Sequence, residues 1–266
     1  MALWDDVTAA TVVDLSQPLF TGMPQSPNHP PFRLVPERRH GDITRPDGSS
    51  AANELVITGG HVGTHVDALA HVSHAGRLFG GVRAGDVQSQ HGFSQLGIDT
   101  FPPFVGRAVV LDVAAVRDVP ALPAGYEISP DDLAQAQARA GVPIKPGDAV
   151  LIGTGWSRHW SDPATFTGER GGTPGPGEAA ARWLAQRRPR VVGAETIAFE
   201  HIPAGHGHRV LPVHRILLVE HGINIVESMR LHPLLDISAR EVVLVLNPLL
   251  IVGATGAPVR PLALVS

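Results

Sequence analysis

One short stretch, residues 61–71, constrains the fold of this chain more strongly than any other. It reads His-Val-Gly-Thr-His-Val-Asp-Ala-Leu-Ala-His, which places the donors His61, His65, Asp67 and His71 at offsets 0, 4, 6 and 10. Imidazole nitrogens and carboxylate oxygens suit a borderline divalent cation such as Zn²⁺ or Mn²⁺. The fold therefore has to bend this stretch so that its donors converge.

The spacing of these donors argues against both regular secondary structures. In a straight strand, His61 and His65 would lie about 13 Å apart at roughly 3.3 Å per residue, too far to share an ion. A regular helix would bring the two imidazoles together but would rotate Asp67 about 200° away from His65. We therefore predict a bent loop, for which Gly63 supplies conformational freedom. Thr64 is expected to orient one of the donors by a hydrogen bond.

Composition limits the class of protein. The chain has 266 residues, of which 43% are hydrophobic and 17% charged, so we predict one globular domain over residues 1–266. A net charge of −4 without a Lys/Arg run argues against nucleic acid as a partner. The absence of cysteine excludes thiolate metal sites and fits a cytoplasmic location.

No membrane segment is expected either. The N-terminus is acidic and lacks the basic-then-apolar pattern of a signal peptide. The longest apolar run, residues 241–254, is interrupted by Asn247 and Pro248 and is too short to span a bilayer.

Short strands and Gly/Pro turns outnumber helical stretches, so we predict a mixed α/β fold with a largely β core. Ser129 and Pro130 have the residue types expected at the start of a helix that ends at Gly141. Residues 168–177, which are rich in glycine, are expected to form a mobile loop or lid. The predicted strands are 11–16, 53–58, 108–113, 149–152, 190–194, 241–246 and 249–252, and the predicted helices are 133–140 and 178–186.

The 61–71 stretch resembles the His-x-Gly-Thr-His-x-Asp-x-Pro-x-His motif of the metal-dependent cyclase and kynurenine formamidase family, which includes isatin hydrolases. Leu69 stands where that family usually has proline. The Asp14-Leu15-Ser16 opening and the Pro-Val-Arg-Pro tail are also similar. The resemblance implies a swivelling β/β/α-type fold and a homodimer or homotetramer.

The resemblance also implies roles for individual residues. In two-metal members, a His before Arg-Ile-Leu-Leu and a Glu about a dozen residues later complete the site. His214 and Glu227 match these positions, with one extra residue between them that leaves Glu220 and His221 as alternatives to Glu227. The implied ligands of one or two ions, Zn²⁺ or Mn²⁺, are His61, His65, Asp67, His214 and Glu227. His71 is the implied proton donor and acceptor.

These donors predict an enzyme that hydrolyses a C–N amide bond, in an aryl formamide or a cyclic amide, with metal-bound hydroxide. The alternatives are a non-hydrolytic metal-dependent cyclase or dehydratase and a binding protein with a structural metal. The kynurenine formamidases carry a tryptophan in the loop that aligns with residues 23–29, and this chain has none there, so its small-molecule substrate is left open. Ser26 and Trp156 are the candidate substrate contacts. Three further histidines are expected to be solvated, namely His201, His206 and His208.

Overall fold

The structure is a computed structural model that describes residues 3–265, so that Met1, Ala2 and Ser266 of the predicted domain lie outside the described residues. The strands are β1 (Thr11–Asp14), β2 (Arg33–Arg38), β3 (Asn53–Ile57), β4 (His65–Asp67), β5 (Gln88–Ser89), β6 (Gly92–Phe93), β7 (Phe104–Asp112), β8 (Glu127–Ile128), β9 (Ala149–Gly153), β10 (Gly172–Thr173), β11 (Gly175–Pro176), β12 (Val191–Ala194), β13 (Ile202–Pro203), β14 (Asn224–Glu227), β15 (Glu241–Leu246), β16 (Gly256–Pro258) and β17 (Leu262–Val265).

Helices are shorter and lie between the strands. The α-helices are α1 (Leu3–Ala9), α2 (Ala84–Val87), α3 (Val113–Val116), α4 (Pro130–Ala140), α5 (Pro163–Phe166), α6 (Glu178–Gln186), α7 (Pro212–His214) and α8 (His232–Asp236). Single turns of 3₁₀-helix cover Phe79–Gly81, Ile98–Thr100 and Trp156–His159, and a π-helix covers Arg215–Glu220. Within residues 3–265, every helix falls short of the length and apolarity needed to cross a bilayer.

A sheet of nine strands, in the order β1-β17-β15-β7-β9-β12-β14-β4-β16, forms the centre of the fold. The four strands β7, β9, β12 and β14 run parallel to their neighbours in this series, and the outer strands pair antiparallel. Parallel strands covered on both faces read as continuous apolar runs, which is the pattern of β7 and β9. The predicted mixed α/β fold with a largely β core is confirmed.

Apolar layers cover both faces of this sheet. Helices α4 and α6 and the π-helix pack against one set of alternating residues, such as Leu111 and Ile152. The opposite set, including Val110 and Leu151, packs with the segment around α8. Successive side chains of a strand point to opposite faces of the sheet, so a single continuous apolar run supplies residues to both layers.

The predicted helix after Ser129 is present as α4. Ser129 accepts a hydrogen bond from the backbone of Asp132, whose carboxylate in turn accepts one from the Ser129 backbone, forming a capping box. Pro130 occupies the first turn, and Gly141 ends the helix with a left-handed φ of 68°.

Two sequence-based predictions are wrong. Residues 249–252 form an exposed loop, with Leu250 77% and Val252 78% exposed, because both edges of β15 are already paired and Pro248 has no N–H to donate. The glycine-rich segment 168–177 is largely packed inside the protein through β10 and β11. Gly172 explains the difference, since a Cβ there would lie 2.0 Å from the carbonyl oxygen of Ile202.

Candidate metal centre

Strand β4 delivers the centre of the donor cluster. It lies between β14 and β16, and alternation along the strand puts His65 and Asp67 on one face while Val66 packs into the core. Glu227 is the direct cross-strand partner of His65, so that its carboxylate Oε2 lies 3.3 Å from His65 Nε2. The structure therefore brings Glu227 together with two donors, His65 and Asp67, from which it is distant in sequence.

The predicted bend in the 61–71 stretch is present at Gly63, which has a φ of 68°. It returns His61 to β4, where His61 Nδ1 lies 2.8 Å from Asp67 Oδ1. The other ring nitrogen, Nε2, lies 2.9 Å from the hydroxyl of Thr255. Thr64 does not contact a donor, contrary to expectation: its hydroxyl instead links the Gln17 N–H to the Ser228 carbonyl.

His214 enters the cluster from α7. Its Nε2 lies 3.0 Å from Glu227 Oε1 and 3.5 Å from Asp67 Oδ2. These contacts place Glu227 at the cluster, whereas Glu220 pairs with surface arginines and His221 is exposed.

Glu200 also belongs to this cluster, although the sequence analysis missed it. Its carboxylate accepts hydrogen bonds from the backbone N–H groups of Val213 and His214, at 3.1 and 3.0 Å, and lies 2.6 Å from His214 Nδ1. A carboxylate on the second nitrogen of an imidazole fixes the ring and its tautomer. No sequence motif signals Glu200, since its partners lie across a loop.

The position of His71 allows more than one role. Its ring stacks on that of His61 with the centroids 3.8 Å apart. Donor atoms of His61, Asp67 and His71 lie within 4.8 Å of one another, as do those of His65, Asp67 and Glu227. The geometry therefore provides two adjacent donor sets that share Asp67, and His71 is a member of the first.

A divalent cation fits these residues. His65 Nε2 and Asp67 Oδ2 are buried and have no hydrogen-bond partner among residues 3–265. Buried polar atoms without partners are costly, and two buried carboxylates close together repel each other. A cation between His65, Asp67 and Glu227 would remove both penalties, and the donor set is the one that zinc and manganese accept.

The surroundings shift the pKa values of His65 and His71 in opposite directions. Burial opposes protonation of His65, but the carboxylates of Asp67 and Glu227 outweigh it and raise the pKa of His65 to about 10. Burial lowers the pKa of His71 to about 3, and nearby His61 and His214 add to this against the opposing charge of Asp67. His71 is therefore neutral at pH 7, with a lone pair available to accept a proton.

A cavity of about 550 Å³ lies between residues 25–28 and 202–209, and none of the cluster's donors is among the residues that line it. Ser26 bonds to His208, one of the residues that line it, at 3.3 Å. His29, on the same loop as Ser26, stacks on His61 with the centroids 5.3 Å apart. The loop that carries Ser26 and His29 therefore contacts both a residue that lines the cavity, His208, and a donor of the cluster, His61.

Three side chains are more enclosed than expected. His208 is half-buried against Ser26, and His201 lies 3.0 Å from the carbonyl of Gly125 through Nε2; only His206 is exposed as predicted. Trp156 is 2% exposed and donates its indole N–H to the carbonyl of Phe166, so it packs in the core and does not line the cavity.

Comparison with known proteins identifies the fold. Residues 13–201 match the family model named Cyclase, described as "Putative cyclase". A solved structure described as a novel cyclase has 28% identity and a TM-score of 0.88, over 100% of this chain and 91% of that one. Isatin hydrolase A from Ralstonia solanacearum has 27% identity and a TM-score of 0.73, over 97% of this chain and 93% of that one.

A "predicted metal-dependent hydrolase" from Bacillus stearothermophilus is also similar, with 25% identity and a TM-score of 0.63 over 96% of this chain and 98% of that one. These similarities cover nearly the whole of each protein. The family model itself spans more than half of this chain and includes the 61–71 stretch. The chain therefore belongs to the cyclase family.

Proposed function

We propose that this protein is a metal-dependent hydrolase that cleaves a C–N amide bond in a cyclic amide or an aryl formamide. The observation that carries the proposal is the buried donor cluster, in which His65 Nε2 and Asp67 Oδ2 have no hydrogen-bond partner among residues 3–265. The similarity to an isatin hydrolase supports a cyclic amide. Zinc or manganese would serve, as one or two ions.

The ligands would come from both donor segments. His65, Asp67 and Glu227 would hold one cation, and His61 and His214 extend the set around Asp67. A bound divalent cation supplies Lewis acidity, which lowers the pKa of water and polarises a carbonyl group. Glu200 keeps the His214 ring in the orientation that presents Nε2 to the cluster.

His71 would move the proton. It is neutral at pH 7 and partly exposed, so it is able to accept a proton from the attacking water. The resulting imidazolium then donates that proton to the nitrogen of the breaking C–N bond. Stacking on His61 holds the His71 ring beside Asp67, whose negative charge stabilises the protonated form.

The cavity between residues 25–28 and 202–209 limits the size of a substrate that binds in it. Its volume suits a one-ring or two-ring molecule. Among the described residues that line it there is no Phe, Tyr or Trp, and the polar side chains include Gln25, Asn28 and His208. This lining gives no stacking surface comparable with the tryptophan of the kynurenine formamidases, so formylkynurenine is not assigned as the substrate.

Hydrolysis in ¹⁸O-labelled water tests the proposal. The purified enzyme is incubated with isatin, formanilide, cyclic imides and lactams, and the products are analysed by mass spectrometry. We expect one ¹⁸O atom in the carboxylate product and turnover by the His71→Ala variant that is reduced by about 10²–10⁴-fold. A ring-closed or dehydrated product without label would support a cyclase or dehydratase instead. The homodimer or homotetramer and the cytoplasmic location stay predictions, which light scattering and cell fractionation test.

A further inference from the structure

A second cavity, of about 610 Å³, has no donor of the metal centre in its lining. Residues 14–19 form one wall and are held in place by backbone bonds on two sides: the Leu15 N–H donates to Pro261, and the Arg230 N–H donates to the Leu15 carbonyl. Thr64, Arg230, Asn247, Leu249 and residues 258–260 complete the lining. The walls thus come from five separate parts of the chain.

Gln17 is an unsatisfied group in this wall. Its side chain is only 5% exposed, and its carboxamide nitrogen is buried without a hydrogen-bond partner among residues 3–265. The backbone N–H of Gln17 is already bonded to the Thr64 hydroxyl, which fixes the residue at this place. Since buried donors are normally paired, the unpaired amide indicates an acceptor that the protein itself does not provide.

Arg230 supplies an unbalanced positive charge in the same cavity. Its guanidinium makes no ion pair or side-chain hydrogen bond with the part of the chain that the structure describes, and the residue is half-buried. Arg260, which also lines the cavity, pairs with Asp14 at 2.7 Å. The one lining carboxylate is therefore neutralised by Arg260, and the charge of Arg230 is left over.

The remaining walls are largely apolar, with Leu19, Leu249, Val259 and two prolines. We propose that this cavity is a second binding site that takes a small organic carboxylate with an apolar body. The carboxylate of the ligand would accept two hydrogen bonds from the guanidinium of Arg230. The amide of Gln17 would donate a further hydrogen bond to an oxygen of the ligand, and the apolar body would lie against Leu19 and Leu249. Inorganic anions lack the apolar part and would use only the charged end.

Benzoate is a suitable probe, with benzamide as its neutral analogue. The dissociation constant of benzoate is measured by calorimetry on the metal-loaded protein and on the variants Arg230→Gln and Gln17→Leu. The matched control is Arg33→Gln, an exposed arginine that does not line the cavity. We expect each cavity variant to weaken benzoate binding by about 10-fold or more, because a hydrogen bond to a charged group is lost. The control and the basal hydrolysis should be unchanged.

A crystal soaked in benzoate locates the ligand independently of the variants. Density with the carboxylate at Arg230 supports the site. Density at the metal centre alone, equal affinity of wild type and Arg230→Gln, or equal affinity for benzoate and benzamide would overturn it. Binding at crystal concentration only, without a titratable signal in solution, would also overturn it. These outcomes do not depend on whether the metal centre hydrolyses amides.

Discussion

Replacing Glu200 with glutamine is a sharp test of how the metal centre is built. Glu200 is 1% exposed, and its two oxygens meet three donors: the backbone N–H groups of Val213 and His214 and the Nδ1 of the His214 ring. Glutamine has the same shape but presents one oxygen and one NH₂ group. Whichever way the amide is turned, at least one of the three donors faces an N–H group.

The size of the effect follows from this geometry. A buried donor left unsatisfied costs about 1–3 kcal/mol of folding free energy. Loss of the carboxylate that orients a metal-binding imidazole typically weakens metal affinity about 10–100-fold, which is about 1.4–2.8 kcal/mol. We therefore expect Glu200→Gln to lose metal affinity by this factor and to unfold at a lower denaturant concentration.

Glu195→Gln is the matched control. Glu195 is buried in the same loop, but its carboxylate bonds to Thr154 and Ser157 and to no donor of the cluster. Burial raises the pKa of Glu195, so that a neutral side chain is tolerated better at that position. Its metal affinity should equal that of the wild type.

Competition with a chromophoric chelator gives the metal affinity of each variant. The reasoning is refuted if Glu200→Gln binds metal within twofold of the wild type while remaining folded, or if Glu195→Gln loses the same affinity. In the second case the loss would reflect a general loosening of the 195–200 loop and not the orientation of His214.

Three other substitutions test separate parts of the site. His71→Ala should reduce kcat by about 10²–10⁴-fold with the metal content retained in elemental analysis, whereas loss of metal would make His71 a ligand. Gly256→Ala should weaken metal binding, because the new Cβ would lie 2.5 Å from the His61 ring. Gly85→Ala is the control and should bind metal like the wild type, because nothing lies within 4 Å of a Cβ at that position. Equal metal affinities of the two variants in chelator titrations would contradict this prediction. Trp156→Phe should lower the unfolding free energy by about 1–3 kcal/mol in urea denaturation and leave KM unchanged, since the side chain is buried; a raised KM would place it at the substrate.

The parts of the fold that the sequence predicted are those with a local signal. Helix α4 carries its own start and stop residues at Ser129 and Gly141, and β7 and β9 are continuous apolar runs. The convergence of the 61–71 donors follows from their spacing and from Gly63. In each case the information lies within about ten residues of the element.

Features that depend on distant contacts were not predictable. Glu200 acts through a turn of α7, and Thr255 reaches His61 from the far end of the chain. The apolar residues 249–252 read as a strand, but both edges of β15 are already paired and Pro248 has no N–H to donate. Trp156 resembles a pocket aromatic in sequence, and only the packing shows that its indole N–H is bonded inside the core.

Anomalous diffraction from a crystal grown with Mn²⁺ measures the central claim directly. The account predicts an anomalous peak among His65, Asp67 and Glu227, next to His65 Nε2 and Asp67 Oδ2, the two buried atoms of this set without a hydrogen-bond partner among residues 3–265. A second peak beside His61 and His71 would show that the neighbouring donor set also binds a cation. A protein that hydrolyses its substrate with no metal at His65, Asp67 and Glu227 would contradict the account.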